Sequence, residues 1–515
     1  MARRLGTILT TFCMLTVTAF AQQSGSETTQ AVNQALQEAQ RLSSSGQHYN
    51  ASVLYFNAYT TEGTHQDAAL ALLTESVIRS GFPNAASYFY IKTLQTGNKS
   101  AIRRILPFLP LMIETVGGDL LRKYVLRYTN ESDYDANTKT HFLYFLGKDE
   151  LLKGAAPKAL AALTKVSGGA GLMAQAAYLR ATAYAMLGQH DNAIASFKAC
   201  QKMAGKAESR NKALRSEFDD LEARCTASLA RSYYQKGDHD TAEETYDEIA
   251  KSSFVWTDIL FEQAWNAYAK NDYNRALGKL VTYRSPSLAF VFNPEVDVLR
   301  AQSFLGLCAY DDVNSTVNEF NARYANVGGQ MKNFLLKHEH DLPAFYSLAR
   351  QAYYRKLHTN DMLHRALNRF IRGPYFASLL EQQKAVQVEV GRAQHLGARN
   401  GGQKFAGFLE KVLIWRDRSV RLLGGMFVRN FMTDIYGDLL TNLDKMSFIK
   451  LEMLKHTKTS LERKQVMSED EDGKLKRGLA DPERRDYQYF WTFNGEFWAD
   501  ELGDYVFALE SQCGA

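Results

Sequence analysis

Proline is scarce in this sequence, nine residues in 515, and cysteine is scarcer still at five. Few prolines leave room for long uninterrupted helices, because proline removes a backbone donor and breaks a helix interior. So few cysteines cannot staple a chain of this length into a disulfide scaffold. Charge of one sign is lacking too. Lys and Arg number 61 against 56 Asp and Glu, and a net +5 is too small a bias to argue for a nucleic-acid partner. After the N-terminal leader no run of about eighteen apolar residues occurs, which predicts a soluble mature protein without a transmembrane helix. What remains is ordinary globular composition, 45% apolar and 12% aromatic. It excludes disordered and fibrous chains and implies about three domains or one elongated array.

The leader is residues 1–21. Arg3 and Arg4 precede a largely apolar stretch from Leu5 to Phe20, and Ala19-Phe20-Ala21 forms a small-x-small cleavage site before Gln22. Together they predict a secretory signal peptide. The alternative is a membrane anchor, for which this short, threonine-containing stretch makes a weak span. Cys13 follows Thr10, Thr11 and Phe12, unlike the small-residue box of bacterial lipoproteins, and the residues flanking Arg3-Arg4 do not support a twin-arginine signal. Cleavage would lower the net charge to about +3.

An internal repeat organises the chain beyond the leader. Gly46, Gly81, Gly154, Gly188 and Gly237 each close one helical run and open another. Five residues later stand Ala51, Ala86, Ala159, Ala193 and Ala242, and nine residues later Tyr55, Tyr90, Leu163, Phe197 and Tyr246. A sixth copy puts Asn271 at the glycine position, followed by Ala276 and Leu280. The spacings, about 34 residues, fit a helix–turn–helix unit. Glycine accepts the left-handed conformation that ends the first helix, the small Ala lets the second helix approach, and the large residue fills the space between them. Such a unit cannot bury its apolar face alone, so copies stack into an α-solenoid.

The segments Tyr233-Tyr234-Gln235-Lys236-Gly237-Asp238-His239-Asp240-Thr241-Ala242 and Ala267-Tyr268-Ala269-Lys270-Asn271-Asp272-Tyr273-Asn274-Arg275-Ala276 resemble the turn of the tetratricopeptide repeat family, and Leu146-Gly147 matches its first-helix pair. A degraded seventh copy is expected from Pro294, turning near Cys308 to Asp311 with Val313 in the Ala place. The expected fold is all-α: a solenoid over residues 31–324, degenerate near 100–129, with a helical insertion at 202–220, then a long helical region. That insertion would bring Cys200, ending one helix, near Cys225, beginning the next. The pairing Cys308–Cys513 follows by elimination, and free buried thiols are the alternative.

Catalytic and metal motifs are missing. His48, His190 and His239 occupy one turn position of the repeat and read as repeat residues, not ligands. His338-Glu339-His340-Asp341 has the composition of a metal site but not the i, i+4 spacing a helix needs. No cofactor, metal or enzymatic activity is expected. In proteins this chain resembles, the first helix of each repeat lines a concave groove. Carried over by position, that resemblance assigns Tyr178, Thr182 and Met186 from the fourth repeat, Arg231 and Tyr234 from the fifth, and Phe261, Trp265 and Tyr268 from the sixth. Arg231 and Trp265 stand 34 residues apart, as do Tyr234 and Tyr268, so each pair should be neighbours, with Arg231 able to lie over Trp265. The alternative is that some of these residues pack between repeats.

The period fades after about residue 330. Residues 325–466 read as a helical region in which Lys404 to Lys464 form a long hairpin or coiled coil, with a break at Gly424-Gly425 as one option. Ser468 to Arg485 carries a charged linker. The segment from Tyr487 to Phe507 holds nine aromatic residues interleaved with Glu496, Asp500, Glu501 and Asp504. It reads as a tail docked on the helical core, with a glycan-binding surface or a carboxylate-based glycosidase as alternatives. The overall layout resembles exported repeat proteins of some Gram-negative bacteria, including ones linked to envelope assembly and gliding motility. That resemblance implies a periplasmic scaffold for an envelope protein or peptide, with peptidoglycan contact and outer-membrane association as further options.

Overall fold

The computed structural model describes residues 30–207, 212–355, 361–399, 402–466 and 489–513; the leader, the charged linker and Tyr487 lie outside the described residues. Helices make up nearly all of it, with one two-residue parallel pairing, Trp491–Thr492 with Tyr505–Val506. The chain divides into two compact units, residues 1–153 with 381–420, and residues 154–380 with 421–515.

The repeat geometry is uniform. Gly46, Gly81, Gly154, Gly188 and Gly237 have φ between 69° and 82°, and the non-glycine turn residues Asn271 and Cys308 have φ of 60° and 55°. All seven therefore sit in the left-handed region that ends a helix. The small residue five places on is fully buried in every copy, Val313 included. The large residue nine places on is buried as well.

In the first unit, helices His48–Thr60, Gln66–Arg79 and Pro83–Gln95 pack in succession. The stretch expected to be degenerate is three short helices, Lys99–Ile105, Leu109–Val116 and Gly118–Tyr128. Residues 381–420 complete the unit from far along the chain. Phe405 meets Tyr49 and Phe56, Phe408 stacks on Phe89, and Trp415 meets Tyr88 edge-on. Two buried charges fix this contact. The Glu389 carboxylate accepts from the Asn84 and Ala85 amides at 2.9 and 3.0 Å, at the N-terminus of the helix Pro83–Gln95. Arg416, fully buried, donates to the Val116 carbonyl and Gln382, both at 2.7 Å. Burial pushes its pKa down to about 10, against the pull of Glu389 and Asp417.

In the second unit, hairpins Ala170–Met186/His190–Ala204, Lys212–Lys236/His239–Asp247, Trp256–Ala269/Tyr273–Val281 and Glu295–Gly306/Tyr310–Lys337 follow one another. The insertion extends the first helix of the fifth repeat, and Cys200 and Cys225 lie at disulfide distance with Cα atoms 5.9 Å apart. Cys308 and Cys513 do so at 5.1 Å.

The long C-terminal stretch differs from a broken hairpin. Gln403–Val466 is one helix that runs unbroken through Gly424-Gly425. The glycines serve close packing instead: a Cβ on Gly425 would stand 2.0 Å from the Leu342 carbonyl oxygen, and one on Gly424 2.5 Å from the Tyr346 ring. Val428, Met432, Ile435, Leu439, Asn442, Met446, Ile449 and Met453 are buried in alternating steps of four and three. That is a coiled-coil seam, but it packs on the repeat hairpins rather than on a second long helix. Lys445 reaches Glu295 at 2.9 Å, and His456 stacks on Tyr310.

Candidate functional site: the first-helix wall of the fifth and sixth repeats

Helix periodicity decides which side chains share a wall. Arg231 and Tyr234 lie one turn apart on the helix Lys212–Lys236; Glu262 and Trp265 do the same on Trp256–Ala269. Stacking of the two repeats gathers Arg231, Tyr234, Gln235, Tyr246, Glu262 and Trp265 around an open cavity of about 480 Å³.

Arg231 is not laid over Trp265. Its guanidinium forms a two-pronged pair with Glu262, at 2.8 and 2.6 Å. A carboxylate that matches the guanidinium fork outcompetes the weaker attraction of a ring face. Burial opposes the guanidinium's charge, but Glu262 more than offsets it and raises the Arg231 pKa. The Tyr246 hydroxyl donates to the same carboxylate at 2.9 Å, and burial, with Glu262 beside it, pushes this phenol above its ordinary value. The cavity thus has a fixed, charge-balanced floor and aromatic sides.

The other assigned residues are placed differently. Phe261 and Tyr268 flank Trp265 edge-on, with centroids 6.4 and 5.6 Å from its ring, and pack on the core of Ala264, Leu280, Val296 and Leu299. Tyr178 packs edge-on against Phe197, and Thr182 bonds back to the Tyr178 carbonyl at 3.0 Å. Met186 is exposed near the end of its helix. None of these five lines the cavity. Glu262 and Gln235 line it without being singled out by the repeat pattern. Glu262 stands one turn before Trp265, a position that faces the same wall. The pattern marks Tyr246 only as the filler of its repeat.

Elsewhere, His338 packs on the Phe334 ring and lies 3.8 Å from Asp341, which caps the following helix. Among the described residues no group of three or more His, Cys, Asp or Glu is placed to hold a metal, and no helix is long and apolar enough to cross a membrane.

Comparison with known proteins bears on the same region. Residues 228–253 match the tetratricopeptide repeat family model, and this match holds the Gly237 turn. Residues 228–253 are a tetratricopeptide repeat. No curated protein matches it. Among solved structures, apo RapI is similar at 12% identity and TM-score 0.32, covering 76% of this chain and 98% of that one. A Rap protein complexed with competence and sporulation factor is similar at 12% and 0.30, covering 76% and 99%. The tetratricopeptide repeat domain of P58(IPK) is similar at 17% and 0.18, covering 75% and 98%.

Proposed function

We propose that this helical-repeat protein is an exported, non-catalytic scaffold that binds a partner protein or peptide at the first-helix wall of its fifth and sixth repeats. The observation that carries the reading is the cavity of Arg231, Tyr234, Tyr246, Glu262 and Trp265. Tyr, Trp and Arg are the residue types that dominate protein interfaces, and here their geometry is preset by the Arg231–Glu262 pair. Export rests on the leader, and two cysteine pairs at disulfide distance are compatible with an oxidising compartment. The cellular setting that fits is envelope assembly or motility in the periplasm. A photo-cross-linking residue at Gln235 tests the site in living cells. Its adducts should disappear in the Tyr234→Ala/Trp265→Ala double variant while helicity is unchanged; adducts that persist unaltered would refute the proposal.

A second reading, a cell-wall glycan-binding or glycan-processing factor, is favoured by one feature of the tail. Tyr489, Trp491 and Trp498 remain 73%, 47% and 58% exposed while neighbouring rings are packed away. Sedimentation with purified peptidoglycan, lost when these three become Ala, would support it over the scaffold.

A further inference from the structure

The helix Gln403–Val466 has a second face that its seam leaves in solvent. Leu440, Phe448, Leu451 and Leu454 are 43%, 71%, 63% and 50% exposed. On a helix, positions 440, 444, 447–448, 451, 454–455 and 458 share one side, facing away from the buried Leu439, Met446 and Met453. Four large apolar side chains within about 21 Å of helix are more than a solvated face normally carries.

Charge along this stripe is ordered. Asp444 lies on the N-terminal side of Phe448, whereas Lys455 and Lys458 lie on the C-terminal side. We infer that residues 440–458 form an antiparallel docking surface for a second copy of this chain, centred on Leu451. In that arrangement Asp444 of each copy comes opposite Lys455 and Lys458 of the other, once on either side of the two-fold axis. The two Leu451 side chains then meet at the axis, and the Phe448 ring of each copy lies on Leu454 of the other. A parallel pair would set lysine against lysine. The contact is small, so the association is weak and concentration-dependent.

Sedimentation equilibrium of the full mature chain is the test. The wild type should dimerise with rising concentration. Asp444→Lys and Lys455→Glu/Lys458→Glu should each weaken self-association by about tenfold or more, and an equimolar mixture of the two variants should restore a dimer. Restoration also shows that both variants are folded. Orientation is read by oxidation of introduced cysteines. Leu451→Cys should yield a covalent dimer, whereas Asp434→Cys, about seventeen residues away, should not, since its two copies would lie about 51 Å apart. A wild type that stays monomeric at high concentration overturns the inference. So do charge variants that dimerise unchanged, a mixture that restores nothing, or a cross-link at position 434.

Discussion

The helical segment 381–420 and the aromatic tail 489–513 each cover the second helices of repeats, and they hold on by different means. The helical segment satisfies its own backbone hydrogen bonds, so it docks through side chains alone: Phe405, Phe408, Trp415 and the charges Glu389 and Arg416. The tail has almost no internal ladder, so its backbone must be satisfied by the surface it lies on. Asn274 supplies three of those contacts. Its carbonyl accepts from the Phe507 amide at 3.1 Å, and its side chain bonds both the amide and the carbonyl of Leu509, at 2.9 and 3.0 Å. Thr282 accepts from the Gly503 amide at 3.1 Å, the Leu307 carbonyl accepts from Gln512, and Lys251 donates to the Asp500 carbonyl and to Asp504. Backbone can come this close because position 278 is glycine: a Cβ there would stand 1.9 Å from the Tyr505 carbonyl oxygen. An irregular segment therefore makes demands on its host that a helix does not.

Four substitutions probe that difference. Arg416→Ala leaves the buried Val116 carbonyl and Gln382 without their donor and withdraws a positive charge from beside Glu389 and Asp417; thermal unfolding should show a loss of about 3–5 kcal/mol. If the loss is under about 1 kcal/mol, side-chain docking of the helical segment is not electrostatic. Gly278→Ala should cost about 1–3 kcal/mol by overpacking, with its damage in the tail. Hydrogen exchange of the 503–509 amides would report it, and unchanged protection there would contradict the backbone-contact account. Asn274→Ala should cost about 1–2 kcal/mol, visible as faster exchange at Leu509 in particular.

The smallest effect is in pH. Burial opposes the Glu243 charge, but Arg275 and Lys270 hold its pKa below the ordinary glutamate value. Its contribution is therefore fully present above the unfolded pKa and is lost as pH falls through the lower, folded value. Because Arg275 also lies under the Phe490 ring at 4.4 Å, acid should loosen the tail's first contact. Glu243→Gln should flatten the dependence of melting temperature on pH between about 5 and 3; an unchanged slope would assign it to other carboxylates.

The repeat was legible from residues alone, since a left-handed turn, a small residue and a large one each leave a mark at fixed spacing. Cys308 and Val313 were readable only by position, because neither is the usual residue. The unbroken helix was not legible at Gly424-Gly425. Glycine signals both a break and a close approach, and only the Leu342 backbone facing it decides between them. At the candidate site, the 34-residue period put Arg231 and Trp265 on one wall. It carried no information about Glu262, whose claim on the guanidinium depends on distances within a turn.

The Cys308–Cys513 pair joins residues 205 apart in sequence, from the tail to the turn of the seventh repeat. Once it is closed, a pull applied at or beyond Cys513 no longer has to peel the tail from Leu307, Asn274 and Thr282 in turn. The force enters at Cys308 and is delivered to the repeat array itself. Mechanically, the disulfide turns the tail from a zipper into a slack strand beside a fixed anchor, and reduction would exchange one behaviour for the other.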